Sequence, residues 1–96
     1  MTLLDELRAR REEILKIAAE CGLKDVRVFG SVARGEESKD SDIDLLVNVA
    51  DASDPLAFVD FQDNVGQMFH RRVDLVFESG LYEKLLPVIL REAMPV

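Results

Sequence analysis

Residues 42–48 read DIDLLVN and residues 72–77 read RVDLVF. Each is a short apolar run interrupted by acid and rich in the branched side chains that suit a pleated strand. Between them Phe58, Phe61, Val65 and Phe69 recur at helical spacing. Two strands joined by a full helix have few ways to pack. The helix carries the chain back to where the first strand began, so the two strands are expected side by side and parallel, as a right-handed crossover.

The remaining elements arrange themselves around that unit. Thr2 and Asp5 form the start of a capping box, and Leu4, Leu7, Ile14, Ala18 and Cys21 follow at roughly helical intervals, predicting one helix over residues 3–21. Gly22 is placed to end it in the left-handed conformation. DVRVF, residues 25–29, alternates as a strand and is broken by Gly30-Ser31, with a polar loop over 35–41. Asp54-Pro55 reads as a helix start, with the aspartate as cap and proline at the first helical position. A last helix is predicted over residues 81–93, kinked or interrupted at Pro87. The order helix, strand, strand, helix, strand, helix predicts an α+β fold: one domain over 1–96, with a small mixed sheet and helices packed on one face.

Composition narrows the function. With 96 residues, 48% hydrophobic and 32% charged, the chain is long enough for one modest core and too apolar to be disordered. No apolar run reaches the roughly 20 residues of a membrane span. The N-terminus is charged throughout, unlike a signal peptide, so a cytoplasmic location is expected and no membrane partner. Cys21, the single cysteine, reads as a packed thiol on a helix face. The net charge of −7 repels polyanions, so direct nucleic-acid binding is not expected, and an anionic substrate would need cations to bring it in.

Strand alternation gives the acids a common direction. Ile43, Leu45 and Val47 point one way and Asp42 and Asp44 the other. Val73, Leu75 and Phe77 share a face, with Asp74 opposite. If both apolar faces pack under helices, all three aspartates emerge on the open face. Residues two apart lie roughly 6.6 Å along a strand, and the next strand about 4.8 Å away. Carboxylates so close repel, so either they hold protons more tightly or a cation sits among them. Hard oxygen donors suit Mg²⁺, and one such set can bridge two ions. The alternative is plain: aspartates at a strand's start also cap turns or face water. The Gly-Ser turn weighs against it. Gly30 admits a ligand close to backbone, and Ser31 with the following N–H groups can donate to phosphate. Arg34, Lys39, Arg71 and Arg72 are further phosphate contacts, or else surface salt-bridge partners. His70 reads as a helix C-terminal residue rather than a catalyst. Tyr82 is expected buried with its hydroxyl bonded.

The stretch GSVARGEESKDSDIDLLV, with Gly30-Ser31 followed by ten residues and then Asp42-Ile43-Asp44, resembles the signature of the DNA polymerase β-like nucleotidyltransferase superfamily. The RVDLV strand and ILREA tail extend the likeness over nearly the whole chain, and the text is similar to that of minimal nucleotidyltransferase (MNT) domains, the antitoxins of MNT/HEPN toxin–antitoxin pairs. The resemblance implies that Asp42 and Asp44 bind metal, that Asp74 is the third acid, holding metal or serving as base, and that Gly30 and Ser31 hold the nucleotide's phosphates. It implies a Mg²⁺-dependent enzyme that moves AMP from ATP onto a tyrosine of a HEPN toxin encoded beside it. Two alternatives stand. One is an antitoxin that neutralises by binding alone. The other is transfer to a small molecule, against which the short chain argues, having little wall for an acceptor pocket. The apolar residues Leu85, Leu86, Val88, Ile89 and Leu90 would pack in the core or meet the partner.

Overall fold

A computed structural model of the chain describes residues 1–81 and 83–96. Tyr82, for which burial was expected, lies outside the described residues. The chain runs through α1 (Leu3–Ala9), α2 (Arg11–Glu20), β1 (Leu23–Phe29), α3 (Gly30–Arg34), β2 (Ile43–Val49), α4 (Leu56–Phe69) and β3 (Val73–Phe77). A 3-10 turn at Glu78–Gly80, α5 (Leu86–Glu92) and β4 (Met94–Pro95) complete it. The sheet order is β3-β2-β1-β4. The β2–β3 pair is parallel, as the intervening helix requires, and β1 is antiparallel to both β2 and β4. The mixed α+β architecture expected from the sequence is the one observed.

Alternate strand positions build one core. Val28, Ile43, Leu45, Val47 and Val73 cluster with Leu3 and Leu7 of α1, Ile14 and Ala18 of α2, and Phe61 and Val65 of α4. These three helices therefore cover one face of the sheet. Leu46, at the opposite phase, is fully buried yet stands outside that cluster. It pairs in register with Arg27 on one side and Val76 on the other. Arg27 is held across the sheet by Glu78, at 3.3 Å. Cys21 packs partly buried against the core, where burial, before the neighbouring acids, raises its thiol above the ordinary range. A packed thiol is what the sequence predicted.

Several boundaries differ from the sequence expectations, each for a local reason. The expected helix over 3–21 breaks at Arg10, whose guanidinium donates to the Met68 carbonyl at 3.3 Å and lies over the Phe69 ring at 5.6 Å. Docking that residue onto the end of α4 turns the chain between two helices with their own apolar faces. The capping box at Thr2 and Asp5 is present. Asp54 does not cap α4 with its side chain. Its carbonyl accepts from the Ala57 N–H instead, at 3.0 Å. Pro87 does not kink a long helix but sits in the first turn of a short one, where its missing N–H costs nothing. None of α5 is fully buried, and Leu85, Val88 and Leu90 are exposed, so core packing does not account for them.

β1 begins two residues earlier than predicted and carries a bulge. Lys24 pairs with Asn48 but Arg27 pairs with Leu46, so one extra residue is accommodated between. Asp25 takes the left-handed conformation there, at φ 53°. Its side chain accepts from Asn48 at 3.0 Å. The bulge lets Leu23, Val26 and Val28 all face the core despite their uneven spacing.

Gly22 closes α2 as expected, at φ 80°, and its carbonyl accepts from the Ala50 and Asp51 N–H groups. A Cβ added here would lie 2.2 Å from the Asp51 backbone oxygen. The clash is with backbone, which cannot rotate away as a side chain could. Gly22→Ala is therefore expected to lose at least about 2 kcal/mol from the left-handed conformation and the clash together. That is a fall in melting temperature on the order of 10 °C, and an unchanged melting curve would contradict the account.

Candidate active site

β1 delivers the chain to the site. Phe29 lies opposite Asp44 in the antiparallel register, and Gly30 then turns away at φ 73° to start α3. The Gly-Ser break thus opens a short helical turn, the condition under which Ser31 and its neighbours present N–H groups outward. Gly30 is required twice over. Its φ lies in the region that favours glycine, and a Cβ would stand 2.2 Å from Asp44 Oδ2. The turn and the carboxylate are in near contact.

Two of the three acids come together as the alternation predicted. Asp44 and Asp74 are register partners in the parallel β2–β3 pair, so their side chains share a face. Asp74 is exposed and Asp42 half-buried just before β2 begins. Asp44 feels both. Its carboxyl is raised above the usual range, first by burial, then by the charges of Asp74 and Asp42, with Arg34 opposing. Glu36 and Glu37 of the loop belong elsewhere. Glu36 pairs with Arg34 at 3.1 Å, and Glu37 accepts from the Leu3 N–H at the start of α1, at 3.2 Å.

The cations divide into committed and free-standing. Arg71 donates to the carbonyls of Ser38 and Ser41, both at 2.9 Å, and so fixes the loop that leads into Asp42. Lys39 and Arg72 are exposed and line a cleft of about 210 Å³ beside Asp42. His70 lines the same cleft and ends α4 in the left-handed conformation, the helix-terminal place expected of it. Arg34 is engaged. Besides Glu36 it bonds Glu92 of α5, whose other oxygen accepts from the Gly30 N–H at 3.3 Å. Sequence reasoning passed over Glu92. The signal was available: a glutamate in the last turn of a helix opposes the helix dipole and needs a partner elsewhere.

Among the described residues, no three Asp, Glu, His or Cys side chains close into a metal cage of their own. The donors still fit Mg²⁺. All are hard carboxylate oxygens, and they repel one another around the partly buried Asp44. Magnesium is ordinarily bound by one or two carboxylates together with waters and substrate phosphates. An open pair at Asp44 and Asp74, with Asp42 adjoining, matches that pattern better than a closed cage would.

Residues 5–96 match the family described as Nucleotidyltransferase domain. The chain belongs to that family. It is a nucleotidyltransferase of the minimal type. The protein adenylyltransferase MntA of Thermococcus cleftensis is 36% identical over 75 residues, which span 78% of this chain and 76% of that one. A solved structure named as a minimal nucleotidyltransferase superposes with a TM-score of 0.85 at 45% identity, covering 100% of this chain and 97% of that one. A complex of tri-AMPylated Shewanella oneidensis HEPN toxin with its MNT antitoxin matches with a TM-score of 0.64 at 21% identity, over 91% of this chain and 68% of that chain, a likeness of fold.

Proposed function

We propose that this nucleotidyltransferase moves AMP from ATP onto a tyrosine hydroxyl of a HEPN-type toxin and thereby acts as its antitoxin, in the cytoplasm. The observation that carries the reading is the pairing of Asp44 with Asp74 beside the Gly30 turn. The adenylyltransferase relative and the AMPylated toxin in the neighbouring fold supply the donor and partner classes.

The chemistry follows from the residues. The hydroxyl oxygen attacks the α-phosphorus of ATP, an O–P bond forms, and the bond to pyrophosphate breaks. Asp74, exposed on the open face, accepts the hydroxyl proton. Gly30, Ser31 and Arg34 orient the triphosphate, with Lys39 and Arg72 offering further contacts from the adjoining cleft. Asp42, Asp44 and Asp74 would hold Mg²⁺, which when bound neutralises phosphate charge and lowers the pKa of the attacking hydroxyl. In an acidic chain such local cations are what admit an anionic substrate.

The test mixes the purified protein, α-labelled ATP, Mg²⁺ and the product of the adjacent gene. Label is expected on that product with the wild type. With Asp74→Asn it should fall by roughly a hundredfold or more, the scale of a lost general base. Undiminished labelling by Asp74→Asn removes the third acid from the mechanism. The exposed Leu85, just before α5, with Val88 and Leu90 of α5, favour a partner surface and keep neutralisation by contact as a second reading. Full toxin neutralisation by an inactive variant would establish it.

A further inference from the structure

Glu92 reaches into the site from the last turn of α5. Its two oxygens take the Gly30 N–H and the Arg34 guanidinium. Both are groups read above as phosphate contacts. A carboxylate bridging a backbone N–H and an arginine makes the hydrogen bonds a phosphate would make there. We propose that Glu92 is an internal competitor of the donor nucleotide: it occupies the phosphate contacts in the nucleotide-free protein, and ATP binding displaces it and loosens the last turn of α5. The proposal rests on the reading of Gly30 and Arg34 as phosphate contacts and adds a regulation to that site.

Three features of the segment fit a device that yields. Its own helix gives Glu92 no help, because a negative charge at the C-terminal end faces unpaired carbonyls. No residue of α5 is fully buried, so little packing resists its shift. The chain just beyond is fixed, with Met94 paired to Val28 and Val96 buried. The motion is thus confined to the Glu92 side chain and the final turn, where the Ala93 N–H bonds the Ile89 carbonyl at 2.8 Å. Displacement also takes one carboxylate away from the neighbourhood of Asp44 as the triphosphate arrives.

Binding of the non-hydrolysable analogue AMP-PNP with Mg²⁺, followed by calorimetry, tests this. Glu92→Gln keeps the side chain's shape and its acceptor for Gly30 but loses one of the two charges that hold Arg34, the other being Glu36. If the latch is closed about nine-tenths of the time, its removal lowers the apparent Kd roughly tenfold. Inorganic triphosphate should gain similarly, and adenosine should not gain. An unchanged or weaker AMP-PNP affinity in Glu92→Gln overturns the proposal and leaves the nucleotide reading intact. Absence of AMP-PNP binding by both proteins overturns both. Hydrogen exchange on the wild type needs no variant. The Ala93 amide should exchange faster with AMP-PNP bound, and slower exchange would mean that Glu92 supports the turn instead of competing for it.

Discussion

Asp44→Asn is expected to abolish nucleotidyl transfer while giving a more heat-resistant protein. The loss follows from its place between the Gly30 turn and Asp74, where no other described carboxylate can substitute. Metal-borne charge stabilisation is worth several kcal/mol, and each 1.36 kcal/mol is tenfold in rate, so a fall of roughly a thousandfold or more is expected. The gain follows from the same surroundings. Burial first, then Asp74 and Asp42, raise the Asp44 carboxyl, so in this region of pH the folded chain binds its proton more tightly than the unfolded chain does. Stability therefore declines as pH rises from the ordinary value of 3.8 through the raised one, and the deficit is complete above it. Asparagine carries no such cost. In magnesium-free buffer at pH 7 the variant should melt above the wild type, and the gap should close as pH falls toward the ordinary carboxylate value. A variant that melts lower, or still transfers label, would remove the strained carboxylate from the account.

Gly30→Ala should damage activity more than stability. The added Cβ meets Asp44 Oδ2 at 2.2 Å, but that atom is the tip of a side chain and can rotate away. The stability cost is then mainly the left-handed conformation, about 1–2 kcal/mol. Activity has no such relief, because the rotation moves the carboxylate on which the site depends. A misplacement of that size costs on the order of a hundredfold in rate. The contrast with Gly22, where the clash is with backbone, separates the two glycines: one is needed for the fold and the other for the site. In an Asp44→Ala background, Gly30→Ala should cost only the conformational part, and a melting-temperature cycle measures the difference. An active Gly30→Ala protein would show that the close approach is incidental.

Most of the site was legible in the sequence because strand alternation is a strict rule. Once DIDLLVN and RVDLVF were read as neighbouring parallel strands, the common face of Asp44 and Asp74 followed with no knowledge of loops. The core face of β2 was legible for the same reason. What escaped notice depended on contacts far along the chain. Arg10 breaks the first helix because of where the end of α4 lies, and no glycine or proline marks the spot. The β1 bulge leaves no local sign beyond an aspartate able to adopt positive φ. The C-terminal segment was read from its apolar residues, while its informative residue was the charged Glu92, whose partners sit some sixty positions earlier. Asp54 looked like a cap and supplied a carbonyl.

The extra residue at Asp25 serves as a phase shim. Without it, β1 would run half a pleat out of step, and either its apolar side chains or its final approach to Gly30 would face the wrong way. The geometry of the corner where Gly30 meets Asp44 is thus set at the opposite end of a strand, by a residue outside the candidate site. One residue more or less in β1 would rotate the whole approach to the acids.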